Sequence, residues 1–442
     1  MLEETNSRKS GGYAIPIAIM FALFFMIAFV TGYQNPLGSV IEKMSSGNTI
    51  MSQLGTLANF IAYAFMGYPA GKLLQNSGFR VTALWAVTIG FIGVAITYCS
   101  GFIGTDSTAV AVYLIGAFVA GFSMCLLNTV VNPMLNSLGA NPNQGNQLVQ
   151  FGGTFNSLGA TLAPVIVGGL LGGEASTIAS ANPVFYLAMG IFAVAFLVLY
   201  FSKLPESPDL GKKQEKIAIS GAFKYRNFTF GVLAIFCYVG LEVGMANWTY
   251  QYLEKHTQVA LQNAGFEAAA IAGTVCGIYW LLMLVGRFLG GVIGGKISSR
   301  TMLAIAALGS MALILAGIFT GETMVRFIGF SSKNLEFSAV SIPLNSIFFV
   351  LCGFFASIMW GAIFNLSVTG LGKYTAVASG IFMVMVCGGG IFPMIQSAIA
   401  KTSLLNSFWL DFGLACYIFV YALLLSKPAK GLKTAPEILV ED

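Results

Sequence analysis

The stretch from Cys352 to Ala400, CGFFASIMWGAIFNLSVTGLGKYTAVASGIFMVMVCGGGIFPMIQSAIA, constrains the fold more than any other. It reads as two apolar segments joined by the short turn GLGKYT. Crossing a bilayer takes about 20 predominantly apolar residues, and each segment is long enough. So many glycines would make a poor helix in water. In lipid the backbone must satisfy its own hydrogen bonds, so the helix persists, and small residues let neighbours approach closely. A second copy runs from Gly121 to Gly168, GFSMCLLNTVVNPMLNSLGANPNQGNQLVQFGGTFNSLGATLAPVIVG. Both copies run apolar helix, Leu-Gly turn, then a helix with glycine shortly before proline. Gly159 precedes Pro164 in one, and Gly388, Gly389 and Gly390 precede Pro393 in the other. Paired halves of this kind place a binding site between them, near mid-membrane.

The rest of the chain agrees. Of its 442 residues 57% are hydrophobic and only 9% are charged, against about 25% charged in a soluble domain. Such a chain cannot cover itself with polar groups in water, so an all-α, multi-pass membrane protein is expected. The seven cysteines are dispersed, with no Cys-x-x-Cys pair, and read as small packing residues. Arg8 and Lys9 precede the first apolar run, and no small-residue cleavage site follows, so that run reads as a retained helix.

Twelve apolar segments can be marked, near 14–41, 49–71, 81–103, 109–135, 146–171, 183–201, 228–253, 267–291, 301–320, 344–368, 374–400 and 407–425. The polar insert at 202–227 divides them into a six-helix half at 1–201 and a second at 228–442. Twelve crossings put both termini on one side. Of 22 Lys and Arg, only Lys43, Lys255, Arg326, Lys333 and Lys401 then fall on the other side. The positive-inside bias makes the side of the termini cytoplasmic. The second and eighth segments both begin Gly-Thr and end in Gly-x-x-x-Gly, at Gly67/Gly71 and Gly286/Gly290, which marks a close helix crossing, either a fixed or a sliding seam. Arg287 and Lys72 read as inner-end cations.

At these residues a family resemblance becomes specific. AIFCYVGLEVGMANW, YWLLMLVGRFLGG, SIMWGAIFNLSVTGLGKYTAVASG, NTVVNPMLNSLG and FGGTFNSLG resemble segments of major facilitator superfamily transporters. Within them the chain is similar to the fucose–galactose–glucose proton symporters over nearly its whole length. That resemblance implies two pseudo-symmetric six-helix halves, alternating access, a bacterial inner membrane and ion-driven sugar uptake. The chain departs from the family pattern at two acidic positions. The Asn-Asp pair of the first helix reads Gln34-Asn35, and the fourth-helix Glu position holds Asn128, ahead of Asn132-Pro133. A third departure is Gly153, where the family often has Gln, before Asn156. An amide hydrogen-bonds a hydroxyl but carries no proton.

One acid then stands out deep in an apolar segment, Glu242 in CYVGLEVGMANW. An intramembrane ionisable group is expensive and marks a functional candidate. It reads as the proton-coupling residue, or else as a packing acid with a partner; Arg287 is a candidate partner that the sequence does not place. Sugars present hydroxyl rims and apolar faces, so a site needs amides and an aromatic ring. Gln34, Asn35, Asn128, Asn132 and Asn156 supply amides from the first half, and Asn247 and Asn365 from the second. Each could equally bond a neighbouring helix. Trp360 reads as a stacking platform, and Trp248 more readily as an interfacial anchor.

Other classes lack their marks. The single histidine, His256, sits beside Glu254 and Lys255 and reads as a solvated loop residue. No metal spacing, phosphate loop or nucleotide-binding domain is present, so neither an enzyme nor an ATP-driven pump is expected, and no cofactor. No filter loop or ring of charge suggests a channel. The basic residues are spread over loops, which argues against nucleic acid. The expectation is a secondary transporter importing a monosaccharide or sugar derivative, proton-coupled through Glu242. Sodium coupling, uniport and a non-transporting sugar sensor stay open as alternatives. A monomer suffices, because the two halves already build a site.

Overall fold

The computed structural model describes residues 13–427, apart from breaks at 46, 105–106, 139–141, 172–176, 206–218, 257–258, 260–267, 294–296, 332–335 and 372–374. The described chain is mostly helical. The twelve apolar segments appear as α1 (Ala14–Met44), α2 (49–77), α3 (79–100), α4 (Ser107–Ser137), α5 (Pro142–Leu171), α6 (Asn182–Phe201), α7 (Arg226–Lys255), α8 (Ala268–Ile293), α9 (Ser299–Phe319), α10 (Leu344–Ser367), α11 (375–400) and α12 (Leu405–Leu425). Among the described residues, eleven of the helices are long and apolar enough to cross a membrane. The twelfth crossing is α2, whose Gln53, Asn59 and Lys72 make it more polar.

Helices α2 and α3 follow one another with no loop between them over Thr49–Ser100, which is 52 residues. At 1.5 Å per residue a straight rod of that length would overrun any bilayer. The chain turns back at Gly78, with φ 78° and ψ 177°. That backbone region is essentially glycine-only and costs another residue about 1–3 kcal/mol. Gly78→Ala is therefore expected to lower stability by about that amount, read as an earlier thermal unfolding transition in detergent, whereas Gly71→Ala, with open space where a side chain would begin, should move it little.

The outward surface is what a bilayer requires. Large apolar side chains such as Phe65, Trp85, Phe201 and Phe319 are exposed, Phe201 at 78%. Because lipid is as apolar as leucine, burial alone does not hold such helices together; close packing does. Gly67 of α2 faces Val384 and the Gly380 carbonyl of α11, and Gly390 of α11 meets Leu57 and Phe60 of α2. Gly277 of α8 lies against Thr161 and Val165 of α5. These two seams join the first six helices to the last six. The other glycine pair differs: Gly286 and Gly290 of α8 face Phe354, Ser357 and Ile358 of α10, inside the last six helices.

Several local features among the described residues depart from a plain bundle of twelve rods. A two-stranded antiparallel hairpin, β1 (Met324–Ser331) with β2 (Glu336–Pro343), fills the connection between α9 and α10, so the chain is not purely α-helical. Its Phe330 amide donates to Thr274 Oγ1 of α8 at 3.3 Å. Helix α10 breaks at Ser357–Ile358 between Leu344–Ala356 and Met359–Val368. Helix α11 narrows to a 3₁₀ turn at Met385–Cys387, directly before the Gly388–Gly390 run.

Candidate functional site

The site is built around a charge pair near the middle of the bundle. Glu242 lies near the midpoint of α7, and Arg287 on α8 donates from Nη2 to its Oε1 at 3.1 Å. Both side chains are 12% exposed. Arg287 does not sit at an inner helix end, as the sequence reading had it. Its other nitrogen, Nη1, reaches α5, donating to the Gly153 carbonyl at 3.0 Å and to Ser157 Oγ at 2.9 Å. One guanidinium thus ties an acid of the last six helices to the backbone of the first six. A planar fork with several donors suits that double duty in a way an ammonium does not. A side chain at Gly153 would begin 3.5 Å from Arg287 Cδ, an ordinary van der Waals contact.

Aromatic groups adjoin the pair. Tyr238 lies one turn before Glu242 on α7, and its ring meets Trp360 of α10 edge-on at 6.2 Å. Trp360 also meets Phe382 of α11 edge-on at 5.7 Å. Tyr279 of α8 donates to the Glu242 carbonyl at 3.2 Å. Among the residues proposed from sequence, Glu242 and Trp360 therefore share one region, and Asn156 is the chain neighbour of Ser157.

The amides are spread more widely. Asn128 Nδ2 donates to Tyr63 Oη at 3.0 Å and to the Met124 carbonyl at 3.1 Å. Asn132 Nδ2 donates to the Asn128 carbonyl at 2.9 Å, and Asn156 Nδ2 to the Phe24 carbonyl of α1 at 3.1 Å. All three are half-buried. Gln34 is buried, and its Oε1 accepts from Tyr113 Oη at 2.6 Å. Asn247 is buried and donates to Gln53 Oε1 of α2 at 3.1 Å. Asn365 is exposed, its carbonyl accepting from Thr369 Oγ1 at 2.6 Å. The side chain of Asn35 lies outside the described residues.

Two other residues are placed differently from their sequence reading. Trp248 is fully buried and donates from Nε1 to the Pro393 carbonyl at 3.3 Å, so it is no interfacial anchor. His256 is not a solvated loop residue: its side chain is 9% exposed, 3.5 Å from Glu322 and edge-on to Tyr252.

Sequence reasoning missed three things. Ser157 carried no signal beyond its place beside Asn156. Asp411, in the last apolar segment, is as buried as any acid among the described residues, so Glu242 is not the sole acid deep in the bundle. A latch also joins α1 and α7 at the end remote from their starts. There Ser39 Oγ donates to Glu254 Oε2 at 2.5 Å, Gln251 Nε2 to Ser39 Oγ at 3.3 Å, and Lys255 Nζ to Glu42 Oε1 at 2.7 Å. The Asn247–Gln53 bond lies on the same approach between α7 and α2. Alternating helix contacts that cross from one set of six to the other are what a transporter needs to open one face at a time.

Comparison with known proteins gives the same fold. The Major Facilitator Superfamily model matches residues 17–434. A glucose/galactose transporter of Brucella abortus is 29% identical over 438 residues, 96% of this chain and 97% of that protein. An L-fucose-proton symporter of Escherichia coli is 23% identical over 426 residues, 90% of each. The crystal structure of the E. coli Fucose:proton symporter, FucP, superposes with a TM-score of 0.64 at 21% identity, covering 93% of this chain and 98% of the other. The chain belongs to the Major Facilitator Superfamily and is a multi-pass membrane transporter, not an enzyme.

Proposed function

We propose that this transporter imports a hexose or related monosaccharide by alternating access, with proton coupling through Glu242. The reading rests on one observation above the others: the Glu242–Arg287 pair reaches across to Gly153 and Ser157. While Glu242 is a carboxylate, it shares Arg287 with α5. When Glu242 takes a proton, the ion pair is lost and the guanidinium is free to change partners. The balance of forces across the α5–α8 seam then depends on whether the proton is bound. That is the requirement for coupling, since a ligand shifts a two-state equilibrium only by its difference in affinity for the two states. The names of the relatives, glucose/galactose transporter and L-fucose-proton symporter, support the substrate class and the coupling ion.

In this reading the halves 1–201 and 228–442 rock about the α2–α11 and α5–α8 seams, and 202–227 tethers them. The protein works as a monomer in a bacterial inner membrane with both termini cytoplasmic, as its Lys and Arg distribution favours. The sugar lies against Trp360, and the amides of Asn128, Asn132 and Asn156 face its hydroxyls from the first half as the halves close. Gln34, Asn35, Asn247 and Asn365 belong to the wider set of candidates.

The direct test is uptake of labelled glucose, galactose and fucose into proteoliposomes under a pH gradient, a sodium gradient or neither. Accumulation with the pH gradient alone is expected. Accumulation with sodium alone, or mere equilibration, removes the proton from the mechanism, and no uptake of any of the three removes the substrate class. Asn128→Ala should weaken sugar binding by about three- to tenfold, since one neutral hydrogen bond is worth about 0.5–1.5 kcal/mol. A titration of sugar binding that is unchanged by the substitution assigns Asn128 to its Tyr63 and Met124 contacts alone.

A further inference from the structure

Helix α12 carries an acid that the coupling reading leaves unused. Asp411 is 1% exposed, and Gln396 of α11 is fully buried beside it. Gln396 Nε2 donates to Asp411 Oδ2 at 2.6 Å, with Ser407 Oγ a more distant second acceptor at 3.5 Å. The remaining two oxygens, Asp411 Oδ1 and Gln396 Oε1, are buried and have no partner among the described residues. They converge on one spot: each is 2.8 Å from the point where a side chain at Gly244 of α7 would begin. Two bare acceptors facing one place satisfy nothing, and an unpaired buried polar group is costly, more so when charged.

A single hydrogen repairs both. We propose that Asp411 and Gln396 together form a buried proton site, occupied throughout the transport cycle. The Asp411 carboxyl donates its Oδ1–H to Gln396 Oε1, while Gln396 Nε2–H donates to Asp411 Oδ2. The two groups then close an acid–amide ring with no orphan left. Charge supports the neutral form. Among the described residues, Tyr279 of α8 and Cys352 of α10 are titratable groups that interact with Asp411, both neutral when protonated. Helix α7 presents Gly244, and among the described residues no Lys or Arg pairs with Asp411. A carboxylate there would be a buried ion without a counter-ion, which is far costlier than a neutral acid.

Position separates this proton from the coupling one. Glu242 is held by an arginine that bridges to α5, so its surroundings change when the two sets of helices move. Asp411, Gln396 and Gly244 all belong to the last six helices, and a rigid rocking motion leaves their contacts intact. Gly244 closes the site on the α7 side, where even a methyl group would touch both oxygens. The Asp411 proton is therefore resident, and Glu242 is left as the exchanging acid of α7.

The test combines infrared spectroscopy with transport. The purified protein should show the carbonyl stretch of a protonated carboxylic acid that persists from mildly acidic to mildly alkaline solution. Asp411→Asn should remove that band. It should also keep gradient-driven uptake within about twofold, because an amide restores both bonds of the ring. If Asp411→Asn does not fold, the same band must survive in Glu242→Gln protein. Absence of a persistent protonated band overturns the proposal. So does an Asp411→Asn protein that exchanges sugar but no longer accumulates it, since Asp411 would then cycle its proton. Glu242→Gln probes the coupling reading separately, so the two can fail independently.

Discussion

Glu242→Gln is expected to abolish accumulation while sparing exchange. The amide has nearly the carboxylate's shape, and its oxygen can still accept from Arg287 across the 3.1 Å contact. What it loses is the ability to exist in two charge states. A carrier that cannot bind and release a proton cannot draw on the gradient, so its accumulation ratio falls to about 1. Sugar-for-sugar exchange needs only the rocking motion and the binding residues, and it should continue. Counterflow of labelled sugar, measured beside uptake driven by a pH gradient, reads both quantities on one preparation. Undiminished accumulation would take Glu242 out of the coupling path and leave its pairing with Arg287 as structural.

Arg287→Gln should have the largest effect on stability. It strands the Glu242 carboxylate at 12% exposure and removes the donor to Gly153 and Ser157. Breaking a buried pair from one side costs about 3–5 kcal/mol, toward the lower end here because a little water reaches both groups. The double variant Glu242→Gln with Arg287→Gln should recover most of that loss, since neither charge then remains uncompensated. Thermal unfolding in detergent of the two single variants and the double variant gives the coupling energy. A double variant no more stable than Arg287→Gln alone would mean that the arginine stabilises through α5 and not through the acid.

The pattern of apolar segments was legible because lipid leaves the backbone few options. A run such as Phe408–Val420 must be helical if it is to lie in a membrane, whatever its propensity. The hairpin between α9 and α10 was not read, because outside the hydrocarbon region that constraint lapses. The break in α11 was hidden for a related reason, since glycine in lipid permits both a straight helix and a bent one, and the break in α10 falls at Ser357–Ile358, where no glycine marks it. Among site residues, Glu242 was visible because an acid amid CYVGL and VGMANW has no cheap explanation. Asp411 is equally conspicuous once seen, but it lies close to where its apolar segment begins and passes for a helix-end residue. Arg287 was visible as a residue but not as a bridge. Its reach to Gly153 depends on α5 and α8 lying side by side, which no local pattern encodes. The same holds for the amides, where Asn247 turns to Gln53 and Gln34 to Tyr113, choices made by neighbours distant in sequence.

The latch between α1 and α7 sets a toll on arrival. Before anything can pass at that end, the contacts of Ser39 with Glu254 and Gln251, and of Glu42 with Lys255, must come apart. A solute approaching there sees only the fraction of molecules already unlatched, and its apparent affinity is its intrinsic affinity reduced by that fraction. A solute approaching from the opposite face meets the complementary fraction, the molecules still latched. One binding site can therefore present two different concentrations of half-saturation to the two compartments. The difference is a property of the doorway, with the chemistry of sugar recognition unchanged.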